Sequence, residues 1–253
     1  MTQITPIINE YRIQVFSTDI YNLRDLSNDK MMYPYKMEIN QNREIELVYK
    51  TPKGGTTLRE FIKQSHTKKS FRKSFAKHIN PLDLLLKLIV LYDELLSSNK
   101  IMNQSFINPD LIWITNDTNI KIIYTMEMEL VAGRIMSSIY WSPELLGKHT
   151  HIRYYNMDSI HQQRSLTRYD TRPSTMSCVY SLGLVFYYMI TGHDPYDSHR
   201  VHVYERPDII NMKPIYARLI WVATDSDVKH RPTLKEWYKI VEDAKKPRMS
   251  LLC

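Results

Sequence analysis

The sequence predicts an α+β fold in which a small strand-bearing N-terminal piece precedes a mostly helical body. Three observations carry this. Glu44-Ile-Glu-Leu-Val-Tyr49 alternates apolar and polar residues with the period of a half-buried strand. The runs Leu82–Leu96 and Cys178–Ile190 are apolar around almost their whole circumference, as buried helices are. Between these helices, two short strand-like runs flank Asn116-Asp-Thr118, whose turn chemistry closes a hairpin.

The elements follow in order. Tyr11-Arg-Ile-Gln-Val-Phe16 reads as a first strand, and Asp19 to Lys30 as a short helix before the strand that ends at Tyr49. Thr51-Pro-Lys-Gly-Gly55 is a break, after which Thr57 has the character of a cap on a helix beginning Leu58-Arg-Glu-Phe-Ile62. Asn80-Pro81 places a capping side chain ahead of a proline at the first helical position. The hairpin strands are read as Asp110–Ile114 and Asn119–Tyr124, and the second buried helix stops at Gly192. Helices over Pro214–Thr224 and Thr233–Lys245 close the chain. The expected division is residues 1–52 for the strand-bearing piece and 53–253 for the body.

With 253 residues, 43% of them hydrophobic and 24% charged, the composition is that of a packed globular protein. The longest apolar stretch, Leu182–Ile190, is too short to cross a bilayer, and no basic region followed by an apolar core marks a secretory leader. The chain has two cysteines, Cys178 in an apolar run and Cys253 at the end; they suit no structural disulfide, so a reducing compartment, cytoplasmic or nuclear, is expected. The net charge of +7 admits nucleic acid or an acidic protein surface as a partner. Its spread along the sequence favours an ordinary lysine-rich surface, and nothing in the sequence points to a membrane.

Several strings in sequence order resemble the protein kinase superfamily from the hinge onward. Glu46-Leu-Val-Tyr-Lys-Thr-Pro-Lys-Gly-Gly-Thr-Thr-Leu-Arg-Glu-Phe-Ile62 is similar to the last N-lobe strand, the hinge and the following helix. Tyr140-Trp-Ser-Pro-Glu144 resembles the end of the activation segment, where the family has Ala-Pro-Glu. Val179-Tyr-Ser-Leu-Gly-Leu-Val-Phe-Tyr-Tyr-Met-Ile-Thr-Gly-His-Asp-Pro-Tyr196 is similar to the central buried helix and its loop, and Leu219–Ile240, with Arg231-Pro-Thr233, to the closing helices. The resemblance covers roughly residues 44 to 245 and implies a kinase-like fold with a helical C-lobe and a reduced or remodelled N-lobe. It also implies a buried ion pair between Glu144 and Arg231, tying the activation segment to the last helices.

The same resemblance exposes what is missing. Phosphoryl transfer in this family uses a glycine-rich loop, a lysine on the third strand, a catalytic aspartate and two metal ligands. The first glycine of the chain is Gly54, at the hinge, so no glycine-rich loop precedes it. Lys36 and Lys50 lie too near the hinge to take the place of the phosphate-anchoring lysine. With the hairpin as ruler, the catalytic His-Arg-Asp falls on Asn103, Gln104 and Ser105, and serine cannot accept a hydroxyl proton as a carboxylate does. The metal-binding asparagine falls on Asp110, and Asp-Phe-Gly on Tyr124, Thr125 and Met126, where a neutral phenol is a poor ligand for a hard cation. The aspartate that braces the catalytic loop from the central helix is replaced by Cys178. Asp110, after Pro109, also reads as an ordinary turn cap, Tyr124 as an apolar plug and Cys178 as a small buried thiol.

Between Glu144 and the central helix an insertion at about 147–176 replaces what is a short loop in the family. It carries Arg153, Tyr154, Tyr155, Arg164, Arg168, Tyr169 and Arg172, residue types enriched in protein interfaces. The resemblance therefore implies a pseudokinase: no enzyme, no cofactor and no bound metal, a scaffold or regulator binding another protein. The insertion is expected at the surface as the site of that binding, and the sign of its charge suits an acidic partner. Two competing readings are a divergent active Ser/Thr kinase that holds a metal with Asp110 or Asp117, and a basic nucleic-acid-associated structural protein.

Overall fold

The computed structural model describes residues 10–15, 30–39, 41, 45–52, 54–67, 80–98, 107–115, 117–123, 139–144, 174–196 and 206–246, without the side chains of 11, 13–15, 37, 45, 66 and 67. Within them the architecture is mixed α+β, with strands β1 (Glu10–Val15), β2 (Met31–Met32), β3 (Pro34–Ile39), β4 (Ile45–Lys50), β5 (Thr56–Thr57), β6 (Ile112–Ile114) and β7 (Ile120–Ile123). The helices are α1 (Leu58–Thr67), α2 (Pro81–Ser97), α3 (Thr175–Thr191), α4 (Pro214–Ala223) and α5 (Leu234–Lys245).

The helices begin and end where local chemistry directs. Thr57 Oγ1 accepts from the Glu60 amide, 3.2 Å away, at the start of α1. Asn80 Oδ1 accepts from the Leu82 amide at 3.0 Å with Pro81 behind it. At α5, Thr233 and Glu236 exchange side-chain and backbone bonds in a capping box. The C-cap Gly192 of α3 has φ 75°, a left-handed conformation that costs a glycine little.

The two apolar helices form the centre. Eight of the α2 side chains, from Leu82 to Leu95, are buried, and α3 is buried continuously from Ser177 to Met189. They pack on each other, α4 lies against α3, and α5 covers both, with Trp237 fully enclosed. Gly183 permits the α3–α4 approach: a Cβ built there would lie 2.6 Å from Ala223 Cβ.

One sheet has the order β1-β4-β3, all antiparallel; the other has the order β2-β7-β6-β5. The β6–β7 hairpin closes through Thr115 and Asn119, with Thr118 at φ 60°. In the first sheet Val48 sits between Arg12 and Lys36 in register and is fully buried. Leu47 and Tyr49 of β4 join Met32, Leu111, Trp113 and Ile123 in a small second core between the two sheets. The expected boundary after residue 52 is thus bridged by β2, whose Met31 and Met32 pair in parallel with Ile122 and Ile123 of the body's hairpin.

The strand β3 and the two-residue strands β2 and β5 have no counterpart in the sequence reading. The helix expected over Asp19–Lys30 lies outside the described residues except Lys30, which is in a turn. No helix among the described residues is long and apolar enough to cross a membrane.

Candidate functional site

Tyr140-Trp-Ser-Pro-Glu144 packs into the body at the N-terminal end of α3. Tyr140, Trp141 and Ser142 are buried, and the Ser181 hydroxyl of α3 donates to the Tyr140 carbonyl at 2.6 Å. Glu144 then meets Arg231, from the turn before α5. Arg231 Nη1 and Nη2 donate to Glu144 Oε1 and Oε2 at 2.9 and 2.6 Å, the two-point geometry that a guanidinium makes with a carboxylate. Its Nε donates to the Asp225 carbonyl at 2.8 Å, Nη1 also to the Met176 carbonyl at 3.2 Å, and the guanidinium lies 5.0 Å from the Tyr180 ring centre. The Arg231 side chain is 0% exposed, so these acceptors replace the water it has lost.

Ser177 Oγ donates to Glu144 Oε1 at 2.8 Å and also meets the cap residue Ser174. The residues before and after the insertion thus converge on the same carboxylate. Burial acts to raise the Glu144 pKa. The bonds from Arg231 and Ser142 outweigh it and hold the carboxyl below its ordinary value.

A second polar cluster surrounds Asp110, the one described residue among the assigned catalytic positions. The Asn108 carboxamide oxygen accepts from the Asp110 amide at 3.0 Å, and the Pro109 carbonyl accepts from the Arg59 amide in the first turn of α1 at 3.1 Å. That places Arg59 Nε 2.7 Å from Asp110 Oδ1. Arg59 Nη1 reaches both Asp194 oxygens at 3.0 and 3.1 Å, and the Tyr140 hydroxyl donates to Asp194 Oδ1 at 2.5 Å. The guanidinium also lies 4.8 Å from the Tyr188 ring centre, and the Arg59 side chain is only 16% exposed. Burial and then the Asp194 carboxylate push the Tyr140 phenol far above its ordinary range, so it remains a neutral donor.

Asn103, Gln104, Ser105, Tyr124, Thr125 and Met126 lie outside the described residues, as do Arg153, Tyr154, Tyr155, Arg164, Arg168, Tyr169 and Arg172 of the insertion. Cys178 is a free, fully buried thiol whose pKa burial drives well above the usual thiol value. Among the described residues no group of three or more His, Cys, Asp or Glu side chains could hold a metal ion. Sequence reasoning missed Arg59 as the partner of Asp110, and missed that the same guanidinium holds Asp194, to which Tyr140 donates. Their separations of 51 positions for Arg59–Asp110 and 135 for Arg59–Asp194 leave no local signal.

No family model matches the chain, and no curated protein sequence matches it.

Proposed function

We propose that this chain is a non-catalytic protein-kinase-like domain, a pseudokinase, that works by binding another protein. The observation that carries the reading is the Glu144–Arg231 pair. Two strings that resemble distant parts of a kinase C-lobe meet in a two-point ion pair between a buried arginine and a half-buried glutamate, in a body with two central apolar helices and a hairpin. The resemblance assigns that pair to framework, and at the assigned catalytic positions it finds serine, tyrosine and an aspartate in place of the catalytic acid and metal ligands. The one such position described, Asp110, is engaged by Arg59. A group held in an ion pair is poorly placed to position a phosphate-bound cation.

The partner reading rests on the Arg- and Tyr-rich stretch between Glu144 and Ser174, whose basic side chains suit an acidic protein. The test is a pair of measurements on the full chain: thermal stability with and without magnesium-ATP, and transfer of labelled phosphate to itself and to generic protein substrates. We expect no rise in melting temperature and no incorporation. A nucleotide that binds only the folded state would stabilise it by about 2.7 kcal/mol at a hundredfold excess over Kd. Incorporation that disappears in Asp110→Ala would replace this reading with that of a divergent active kinase.

A further inference from the structure

We propose that Arg59 is a built-in cation: its guanidinium fills the space between Asp110 and Asp194 and denies both carboxylates to any external metal ion. The two aspartates come from unconnected segments, the turn before β6 and the loop after α3, and they converge on one positive group. Arg59 serves Asp110 through Nε at 2.7 Å and Asp194 through Nη1 at 3.0 and 3.1 Å. Tyr140 donates to the same Asp194 oxygen at 2.5 Å, so both oxygens of that carboxylate are engaged from within the chain. The occupant is fixed as well as charged. Its backbone amide is bound to the Pro109 carbonyl, its own carbonyl accepts from the Tyr188 hydroxyl at 3.2 Å, and its guanidinium lies against the Tyr188 ring. A planar guanidinium with several donors can satisfy two carboxylates at once, which a lysine ammonium on a flexible stem does less well.

The arrangement deepens the non-catalytic reading, on which it rests, by giving one residue the task of occupying the space between Asp110 and Asp194, and its test is independent of phosphotransfer. The probe is terbium ion, whose emission rises when it binds close to an excited tyrosine; Tyr140 and Tyr188 both border the cluster. In the full-length wild type we expect terbium emission that is unchanged by Asp110→Asn. In Arg59→Ala and Arg59→Gln we expect a several-fold gain, abolished when Asp194→Asn is added, with a smaller gain in Arg59→Lys. Circular dichroism identifies the folded variants, and Arg59→Gln keeps much of the stem should the alanine variant fail to fold. Wild-type emission that falls in Asp110→Asn would overturn the proposal, because the site would then be open with Arg59 in place. A folded Arg59→Gln with no gain would overturn it equally. Either failure leaves the phosphotransfer assay to decide separately whether the chain is an enzyme.

Discussion

Arg231 reaches Glu144 across 87 positions of sequence with both terminal nitrogens, and its side chain has no exposure to solvent. The pair joins the segment before the insertion to the turn before α5, and the Met176 carbonyl brings the start of α3 to the same guanidinium.

Removing that guanidinium leaves a half-buried carboxylate and the carbonyls of Asp225 and Met176 without their donor. Arg231→Ala is expected to destabilise the fold by about 3–5 kcal/mol, the usual cost of breaking one side of a buried pair. Arg231→Lys should recover only part of this, because a single ammonium cannot serve acceptors in several directions. Urea denaturation checks both, as a lower midpoint at unchanged slope. An alanine variant with the wild-type midpoint would remove the pair from the framework.

The pH dependence follows from the same carboxyl. The Glu144 pKa in the folded chain lies below the ordinary 4.5 of glutamate, so the unfolded chain takes up the proton first as pH falls. The stabilisation is therefore complete above the unfolded value and is lost as pH drops through the folded one. Wild type should exceed Glu144→Gln in stability at neutral pH, and the gap should close below about pH 4.5. A gap that stays constant down to acid pH would mean that Glu144 contributes no charge to the pair.

Gly183 provides a test in which two effects oppose each other. Glycine inside a helix costs about 1 kcal/mol against alanine, so propensity alone favours Gly183→Ala. The added Cβ would stand 2.6 Å from Ala223 Cβ and 3.2 Å from Thr224 Cγ2, neither of which is the end of a flexible side chain. Overpacking of this kind costs about 1–3 kcal/mol, so a net destabilisation is expected. A thermal melt shifted upward would show that α4 can move away from α3 cheaply.

What was legible in the sequence is what is local. Asn80-Pro81, Gly192 and the all-round apolar runs of α2 and α3 carry their instructions within a few residues, and the helices start and stop close to the expected places. β3 was legible and went unread: Tyr35-Lys36-Met37-Glu38-Ile39 alternates with the two-residue period of a strand, and the bulge between Pro34 and Lys36 lies ahead of that run. β2 has two residues, too few for any pattern. The Glu144–Arg231 contact was reachable only through the family resemblance, since no local rule links residues so far apart. The Arg59 cluster had neither help: its members belong to different elements, and neither a local rule nor the resemblance pairs them.

The last prediction concerns the insertion, of which residues 145–173 lie outside the described ones. Its two ends are described and meet: Ser177 Oγ donates to Glu144 Oε1 at 2.8 Å, and Arg231 bonds both Glu144 and the Met176 carbonyl. A stem closed by these contacts does not need the intervening chain to hold it. Replacing residues 150–172 by a short Gly/Ser linker should therefore change stability by less than about 1 kcal/mol, since loop-closure entropy varies only slowly with length. The same replacement should abolish co-purification of the protein partner, because it removes Arg153, Tyr154, Tyr155, Arg164, Arg168, Tyr169 and Arg172 together. Capture of the partner by the parent chain should weaken as salt is raised, as expected for a basic surface meeting an acidic one. A shortened chain that melts with the wild type and still captures its partner at full strength would move the binding surface elsewhere. The ion-paired face of the β1-β4-β3 sheet, where Arg12 binds Glu10, Glu38 and Glu46, would then be the next surface to mutate.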